Sequence, residues 1–97
     1  MAGFEVQGDS LGTDVSVIVV EAEPGDGPAL HRHPYAELFV VIEGEATFTV
    51  GGLQRRVTAG ETLLAPAGVP HAFRNTGDRA LRQVDIHLSP VFETEWL

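Results

Sequence analysis

The stretch from Gly25 to Gly44 reads GDGPALHRHPYAELFVVIEG. Glycine and proline interrupt its first half, and its second half holds an unbroken apolar run from Leu38 to Ile42. Short apolar or alternating runs between Gly/Pro-rich turns are typical of β-strands. The same alternation of runs and turns continues along the other residues of the 97-residue chain, which contains 11 Gly and 6 Pro. The sequence therefore predicts an all-β fold.

About eight strands follow from this pattern. They are Asp14 to Glu21, a segment through Leu30 to His33, Glu37 to Ile42, Ala46 to Val50, Gln54 to Thr58, Thr62 to Leu64, Ala72 to Asn75 and Leu81 to Leu88. No segment has a helical period over three turns, and only the tail, Val91 to Leu97, is expected to form a single helical turn. Strands of this number and length fit a jelly-roll β-barrel built from two antiparallel sheets.

Composition limits the classes of function. A chain of this length makes one domain, residues 1–97. Its net charge of -8, with six arginines as its only basic residues besides histidine, argues against nucleic acid or an anionic membrane surface as a partner. The absence of cysteine excludes disulfides and thiolate chemistry. The first residues lack the pattern of an export signal, and we expect a cytoplasmic location.

Two predicted strands are apolar on both faces: Leu38 to Ile42 and Val17 to Val20. A strand with one face in water alternates apolar and polar residues. Strands that are apolar on both faces therefore need another surface packed against their outer side. We expect a homodimer in which the outer faces meet, because isologous dimers are the commonest oligomers. The alternative is that the tail of the same chain, Val91 to Leu97, lies over them.

The histidines indicate a metal site. His31, His33 and Glu37 have the same parity, so in an extended chain their side chains project from one face. His71 follows a Pro/Gly turn and enters another strand, from which it can supply a fourth ligand. Three imidazoles and one carboxylate suit a borderline divalent metal and not Ca²⁺ or Mg²⁺. Taken alone, however, a His-x-His pair is more often exposed at the surface, and His71 could simply cap a turn.

The turn residues around these side chains settle the interpretation, because their spacing resembles the two motifs of the cupin family. The first motif is carried by Gly25, His31, His33, Glu37 and Gly44, and the second by Gly60, Pro66, Gly68, His71 and Asn75. Fifteen residues separate the motifs, the short spacer of small bacterial-type cupins. The resemblance implies a jelly-roll barrel, often dimeric. It also implies that His31, His33, Glu37 and His71 hold a divalent transition metal (Fe, Mn, Zn, Ni, Co or Cu), with Asn75 as a structural hydrogen bonder.

Two further residues are candidates for catalysis. On the last predicted strand, Asp85 and His87 alternate with Val84, Ile86 and Leu88, so either the polar or the apolar set faces inward. With the polar set inside, His87 is a general base or is held by Asp85 beside the metal; with the apolar set inside, a reading we slightly favour, His87 is a surface residue. Tyr35 has inward parity and could bring a phenol to the mouth of the pocket.

A metal with positions left open permits catalysis on a small substrate. The leading hypothesis is a metalloenzyme acting on a small oxygenated organic molecule, with dioxygenase, isomerase, cyclase, decarboxylase and lyase chemistry all compatible. The pocket wall is expected to include Phe39, Val41, Phe48 and Phe73. The second hypothesis is a module that binds or senses a small ligand. The third hypothesis is a structural or storage role, which would not require the complete set of metal ligands.

Overall fold

The computed structural model describes residues 1–97, and it is built from ten antiparallel strands in two five-stranded sheets. The first sheet has the order β1-β2-β9-β4-β7, and the second has the order β10-β3-β8-β5-β6. The strands are β1 Ala2–Val6, β2 Ser16–Ala22, β3 His31–Arg32, β4 Glu37–Glu43, β5 Glu45–Val50, β6 Leu53–Thr58, β7 Thr62–Ala65, β8 His71–Arg74, β9 Leu81–His87 and β10 Glu95–Trp96. The predicted all-β jelly roll of two antiparallel sheets is confirmed.

All eight predicted strands are present, with ends within two residues of those expected. The chain also forms two strands that the sequence did not reveal, β1 along the edge of β2 and β10 along the edge of β3. The expectation of a helical turn in the tail is wrong. Glu95 and Trp96 pair instead with Arg32 and His31, because the free edge of β3 offers backbone partners to an extended segment.

The core lies between the sheets and consists of the inward side chains of both. Phe39 on β4 and Phe48 on β5 meet across it with ring centroids 4.8 Å apart. Val41, Val57 and Leu81 are fully buried beside them. These positions alternate with exposed or half-buried neighbours along each strand, as a sheet with one face on the core requires.

The outer face of the first sheet is apolar over two adjacent rows. One row follows the strand register through Phe4, Val19, Val84 and Val40, and the other through Val6, Val17, Ile86, Leu38 and Leu64. We call these nine residues the outer apolar face. The tail does not cover it, since β10 belongs to the second sheet. The alternative in which the tail lies over these strands is therefore wrong.

Helical structure is confined to a short 3₁₀ turn, Gly8–Leu11. No helix in the structure has the length and apolar character needed to cross a membrane.

Candidate metal centre

Three histidines and one glutamate converge at one end of the space between the sheets. His31 on β3 lies directly opposite His71 on β8, so the strand register itself brings these two rings together. His33 follows β3 in the chain, and Glu37 begins β4 in the facing sheet. All four are buried, with no more than 8% of any residue exposed. The structure therefore brings together the four residues that the sequence singled out.

The ligand atoms of this cluster point at a common centre. Oε1 of Glu37 lies 2.9 Å from Nε2 of His33 and 3.2 Å from Nε2 of His71. One ligand atom from each of the four residues, including His31, lies within 4.8 Å of the other three. Such a group has the residue types and the compactness to hold a borderline divalent cation.

Backbone carbonyls fix the orientation of all three imidazoles. Nδ1 of His31 lies 2.7 Å from the carbonyl oxygen of Ala29, and Nδ1 of His71 lies 3.0 Å from that of Val69. Nδ1 of His33 lies 2.7 Å from the carbonyl oxygen of Glu93, which comes from the tail. A carbonyl only accepts, so each Nδ1 carries the proton and each Nε2 keeps its lone pair for a ligand.

One nitrogen of the cluster tests the fit to a metal directly. Nε2 of His33 is buried and makes no hydrogen bond, although it lies 2.9 Å from Glu37. Buried polar atoms are normally satisfied, so an orphaned one needs a reason. A cation between the imidazoles and the carboxylate supplies that reason, and the residues present therefore fit a metal ion.

The electrostatics of the cluster favour an ionised carboxylate. Burial alone would raise the pKa of Glu37, but contacts with His33, His71 and His87 outweigh burial and hold this pKa well below its usual range. Burial lowers the pKa of His31. Burial also acts to lower the pKa of His33, but the adjacent Glu37 and the Glu93 carbonyl leave it raised.

The polar set of β9 faces inward, contrary to the slightly favoured reading. Gln83, Asp85 and His87 are buried, and the intervening Val84 and Ile86 belong to the outer apolar face. The usual rule of apolar inside and polar outside is reversed on this strand. The polar side chains face the metal cluster in the interior, and the apolar ones continue the apolar rows of the neighbouring strands on the outer face. His87 is thus not a surface residue.

His87 lies beside the cluster without belonging to it. Its Nε2 is 3.1 Å from Oε2 of Glu37, the oxygen that does not face His33 and His71. Its Nδ1 is 2.8 Å from the hydroxyl of Tyr35, which also accepts the backbone N–H of Glu93 at 3.3 Å. Tyr35, expected at the mouth of the pocket, and His87, which the sequence left as either a surface residue or a residue beside the metal, therefore form one hydrogen-bonded pair behind Glu37.

A cavity of about 310 Å³ opens from this cluster toward the edge where β1 faces β10. Phe39 and Phe73 line it as expected, whereas Val41 and Phe48 belong to the core and do not. Asn75 is structural, since its amide donates to the carbonyls of Ala22 and Arg79. This volume is at the small end for a ligand pocket, so it suits a compact molecule.

The tail supplies site residues that sequence reasoning missed. Phe92 lies against His87 with ring centroids 5.0 Å apart, and Trp96 lies equally close to His31. Thr94 reaches Nδ1 of His33 at 3.3 Å. The alternation of Phe92, Thr94 and Trp96 was the available signal, because residues two apart in an extended chain share a face.

Comparison with known protein families gives one match, a model described as a cupin domain that covers residues 18–87. That range contains the whole cluster and strands β3 to β9. The match therefore includes more than half of the chain and every candidate ligand.

Among curated proteins, the chain is 33% identical to the H2HPP isomerase of Bacillus subtilis over 89 residues, which are 91% of this chain and 38% of that protein. It spans about half or less of the length of the curated relatives it matches.

Two solved structures have the same fold. Oxalate oxidase in complex with the substrate analogue glycolate superposes with a TM-score of 0.85 and 27% identity, over 99% of this chain and 54% of that one. Bacillus subtilis oxalate decarboxylase, described with Mn(II) centres, gives 0.87 and 25% over 100% of this chain and 29% of that one.

Proposed function

This chain belongs to the cupin domain family, and from that premise we propose that it is a small metalloenzyme acting on a small oxygenated organic molecule. His31, His33, Glu37 and His71 are the proposed ligands of a divalent transition metal (Fe, Mn, Zn, Ni, Co or Cu). One observation carries the proposal: all three histidines are held by backbone carbonyls at Nδ1, which leaves each Nε2 free to ligate at a centre shared with Glu37.

A metal held by these residues would supply Lewis-acid activation of a substrate oxygen and, in the case of Fe, Ni or Cu, redox chemistry. The protein supplies the rest of the site. The phenyl rings of Phe39, Phe73 and Phe92 in the lining exclude water and leave room for an apolar substrate body.

His87 is the proposed catalytic residue. It lines the cavity, and its Nε2 has no hydrogen-bond partner. The ionised Glu37 carboxylate beside Nε2 only accepts, which favours the tautomer with the proton at Nε2, and Nδ1 then accepts from the Tyr35 hydroxyl. From this position His87 can give a proton to a substrate, and Tyr35 positions the ring. Tyr35 itself does not line the cavity, so its role is positioning.

The comparisons support a metalloenzyme without fixing its reaction. Oxalate decarboxylase is described with Mn(II) centres, and oxalate oxidase binds glycolate as a substrate analogue. The isomerase from Bacillus subtilis carries out a different class of reaction on the same domain type. Since function depends on the site residues rather than on the fold, the small oxygenated substrate is the common element carried over.

The test combines metal content with turnover. We expect about one divalent metal per chain by elemental analysis after purification or reconstitution. The Fe-loaded protein is then screened for oxygen consumption, and the Mn- and Zn-loaded forms for substrate loss, against small enols, catechols and hydroxy acids. Turnover by the unsubstituted protein that is lost in the His87→Gln variant supports the proposed enzymatic function. Stoichiometric metal with saturable binding and no turnover by any metal form favours a ligand-binding or sensing module.

We propose that a second copy of this chain covers the outer apolar face. The competing cover within the chain, the tail, pairs with β3 in the other sheet. The charges that border the face are internally paired, since Arg82 lies 3.4 Å from Glu21 and 3.2 Å from Glu43. A twofold axis would lay the two apolar rows against their own copies, the geometry of an isologous dimer. The cytoplasmic location and the absence of nucleic-acid partners stay predictions from the sequence.

A further inference from the structure

A buried carboxyl group lines the cavity outside the metal cluster. Asp85 is 4% exposed on the inner face of β9. In the strand register it stands between Ile18 of β2 and Phe39 of β4, and all three residues line the cavity. An acid is thus placed in the apolar part of the cavity.

The bonding of Asp85 leaves half of its carboxyl group unused. Nε2 of Gln83 donates to Oδ1 at 2.8 Å, which fixes the plane of the group. The second oxygen has no protein hydrogen-bond partner, and no arginine lines the cavity to pair with the acid. Burial raises the pKa of Asp85 well above its usual range, and the charge of Glu37 adds to this effect. Burial therefore favours the neutral carboxylic acid, whose O–H can donate to a molecule in the cavity.

This arrangement is costly for folding alone. Burying an ionisable group in an apolar lining destabilises a protein, and a leucine between Ile18 and Phe39 would avoid that cost. Metal binding does not explain the acid either, because Asp85 is not in the group of four converging ligands. A contact with a bound molecule does explain it, since a ligand acceptor would satisfy the free O–H.

We propose that Asp85 contacts the bound substrate and selects a compact molecule with an oxygen-bearing head at the metal cluster, an apolar body and an uncharged hydrogen-bond acceptor on that body. This inference rests on the proposed metalloenzyme function and specifies its substrate class. The head is bound by the cluster, and the body lies against Ile18, Phe39 and Phe73.

The far end of the substrate is uncharged because of the residues that surround it. The charged side chains in the lining are all acidic, Glu5, Glu37 and Asp85, and neither arginine nor lysine is among the lining residues. A second anionic group on the substrate body would be desolvated beside Phe39 and Phe73 with no arginine or lysine side chain to pair with.

The experiment measures binding of α-hydroxy acids to the zinc-loaded protein by isothermal titration calorimetry. Mandelate is compared with 3- and 4-hydroxymandelate, which add one hydroxyl to the same ring. We expect at least one isomer to bind about three- to tenfold more tightly than mandelate, the range of one neutral hydrogen bond. Asp85→Leu should remove this gain, and Asp85→Asn, whose amide also donates, should keep most of it. If Asp85→Leu fails to fold, Asp85→Ala takes its place.

A second pair of probes tests the charge. 2-Hydroxyvalerate and 2-hydroxyglutarate share the head and the chain length, and only the latter ends in a carboxylate. We expect 2-hydroxyvalerate to bind at least about tenfold more tightly than 2-hydroxyglutarate, because desolvating an unpaired carboxylate costs more free energy than one hydrogen bond contributes.

The outcomes separate this inference from the function on which it rests. A protein that holds no zinc overturns both. Stoichiometric zinc with no binding of any probe, with tighter binding of the glutarate, or with a hydroxyl gain that survives in Asp85→Leu overturns the substrate class alone and leaves the metal assignment in place.

Discussion

The hydroxyl of Tyr35 lies 2.8 Å from Nδ1 of His87, and this bond joins the loop before β4 to the end of β9. Removing it in Tyr35→Phe should lower the free energy of unfolding by about 1 kcal/mol, because a half-buried donor–acceptor pair is lost while ring packing is kept. Metal content should not change, since neither residue is a proposed ligand. Chemical denaturation and elemental analysis measure the two effects.

The control for this substitution is Thr47→Val. Thr47 and Thr76 share a hydrogen bond of similar length, 2.9 Å, at the exposed outer side of the second sheet. Water replaces an exposed bond, so the control should cost less than about 0.5 kcal/mol. Equal losses in the two variants would show that burial of the Tyr35–His87 pair contributes nothing.

Substitution of histidines should separate ligands from neighbours. We expect His33→Ala to abolish stoichiometric metal, because His33 is one of the four converging ligands and its buried Nε2 has no hydrogen-bond partner. His87→Ala should keep a bound metal with affinity reduced by about ten- to a hundredfold, the usual effect of removing a group that orients a ligand. Competition with a chelator of known affinity gives both values. Unchanged metal content in His33→Ala contradicts the assignment.

Acid should release the metal. Imidazoles ligate only when neutral, and Glu37 and the Glu93 carbonyl raise the pKa of His33 against the effect of burial, so protons compete with the metal already above the ordinary histidine value of about 6.5. The melting temperature of the metal-loaded protein should exceed that of the chelator-treated protein at pH 8, and the two should coincide by about pH 5. Identical melting temperatures across this range would mean that the metal is not coupled to folding.

The chelator-treated protein should itself lose stability in acid. The pKa of Glu37 is lower in the folded protein than in the unfolded chain, so its stabilising contribution is present above the unfolded value of about 4.3 and disappears as pH falls toward the folded value. Glu37→Gln should flatten this part of the stability curve. A curve as steep as that of the unsubstituted protein would assign the acid sensitivity to other groups.

The strands were predictable because their signals are local, and the metal cluster because the spacing of its ligands and turn residues resembles the cupin motifs. Alternation at Ala46 to Val50, the apolar run at Leu38 to Ile42 and the turn glycines depend on neighbours along the chain, and so does the shared parity of His31 and His33. Two missed strands lack this signal. β1 places Phe4 outward and Glu5 toward the cavity, the reverse of the usual pattern, and β10 is only two residues long.

Which face of β9 is buried could not be read from the sequence. Its alternation with a period of two is plain. Whether Asp85 and His87 or Val84 and Ile86 face inward depends, however, on what each face of the sheet contacts. The metal cluster requires polar partners inside, and the outer apolar face leaves the valine and isoleucine outside. Both facts belong to the assembled sheets and not to the strand.

Gly27 should tolerate substitution less well than Gly25, although Gly25 is the residue that the motif contains. A β-carbon at Gly27 would lie 1.9 Å from the carbonyl oxygen of Phe73, whereas one at Gly25 would meet nothing within 4 Å. Gly27→Ala must therefore displace β8 near His71, at a cost of about 3 kcal/mol. Gly25→Ala causes no clash and only has to adopt a left-handed φ of 90°, which destabilises the fold by about 1 kcal/mol. Denaturation of both variants compares these costs.

The outer apolar face should hold two copies together at micromolar concentration. We expect sedimentation to give about twice the chain mass of 10.4 kDa. Ile86 is the best position for disruption, because it lies on β9 between Val17 and Leu38, the middle of one apolar row. Ile86→Glu would bury a carboxylate between two apolar faces, so it should yield a monomer. Thr49→Glu, on the outer side of the second sheet, is the matched control and should remain dimeric. A monomeric mass for the unsubstituted chain would mean that this face has another cover or none, whereas a dimer that persists in Ile86→Glu would place the contact elsewhere on the surface.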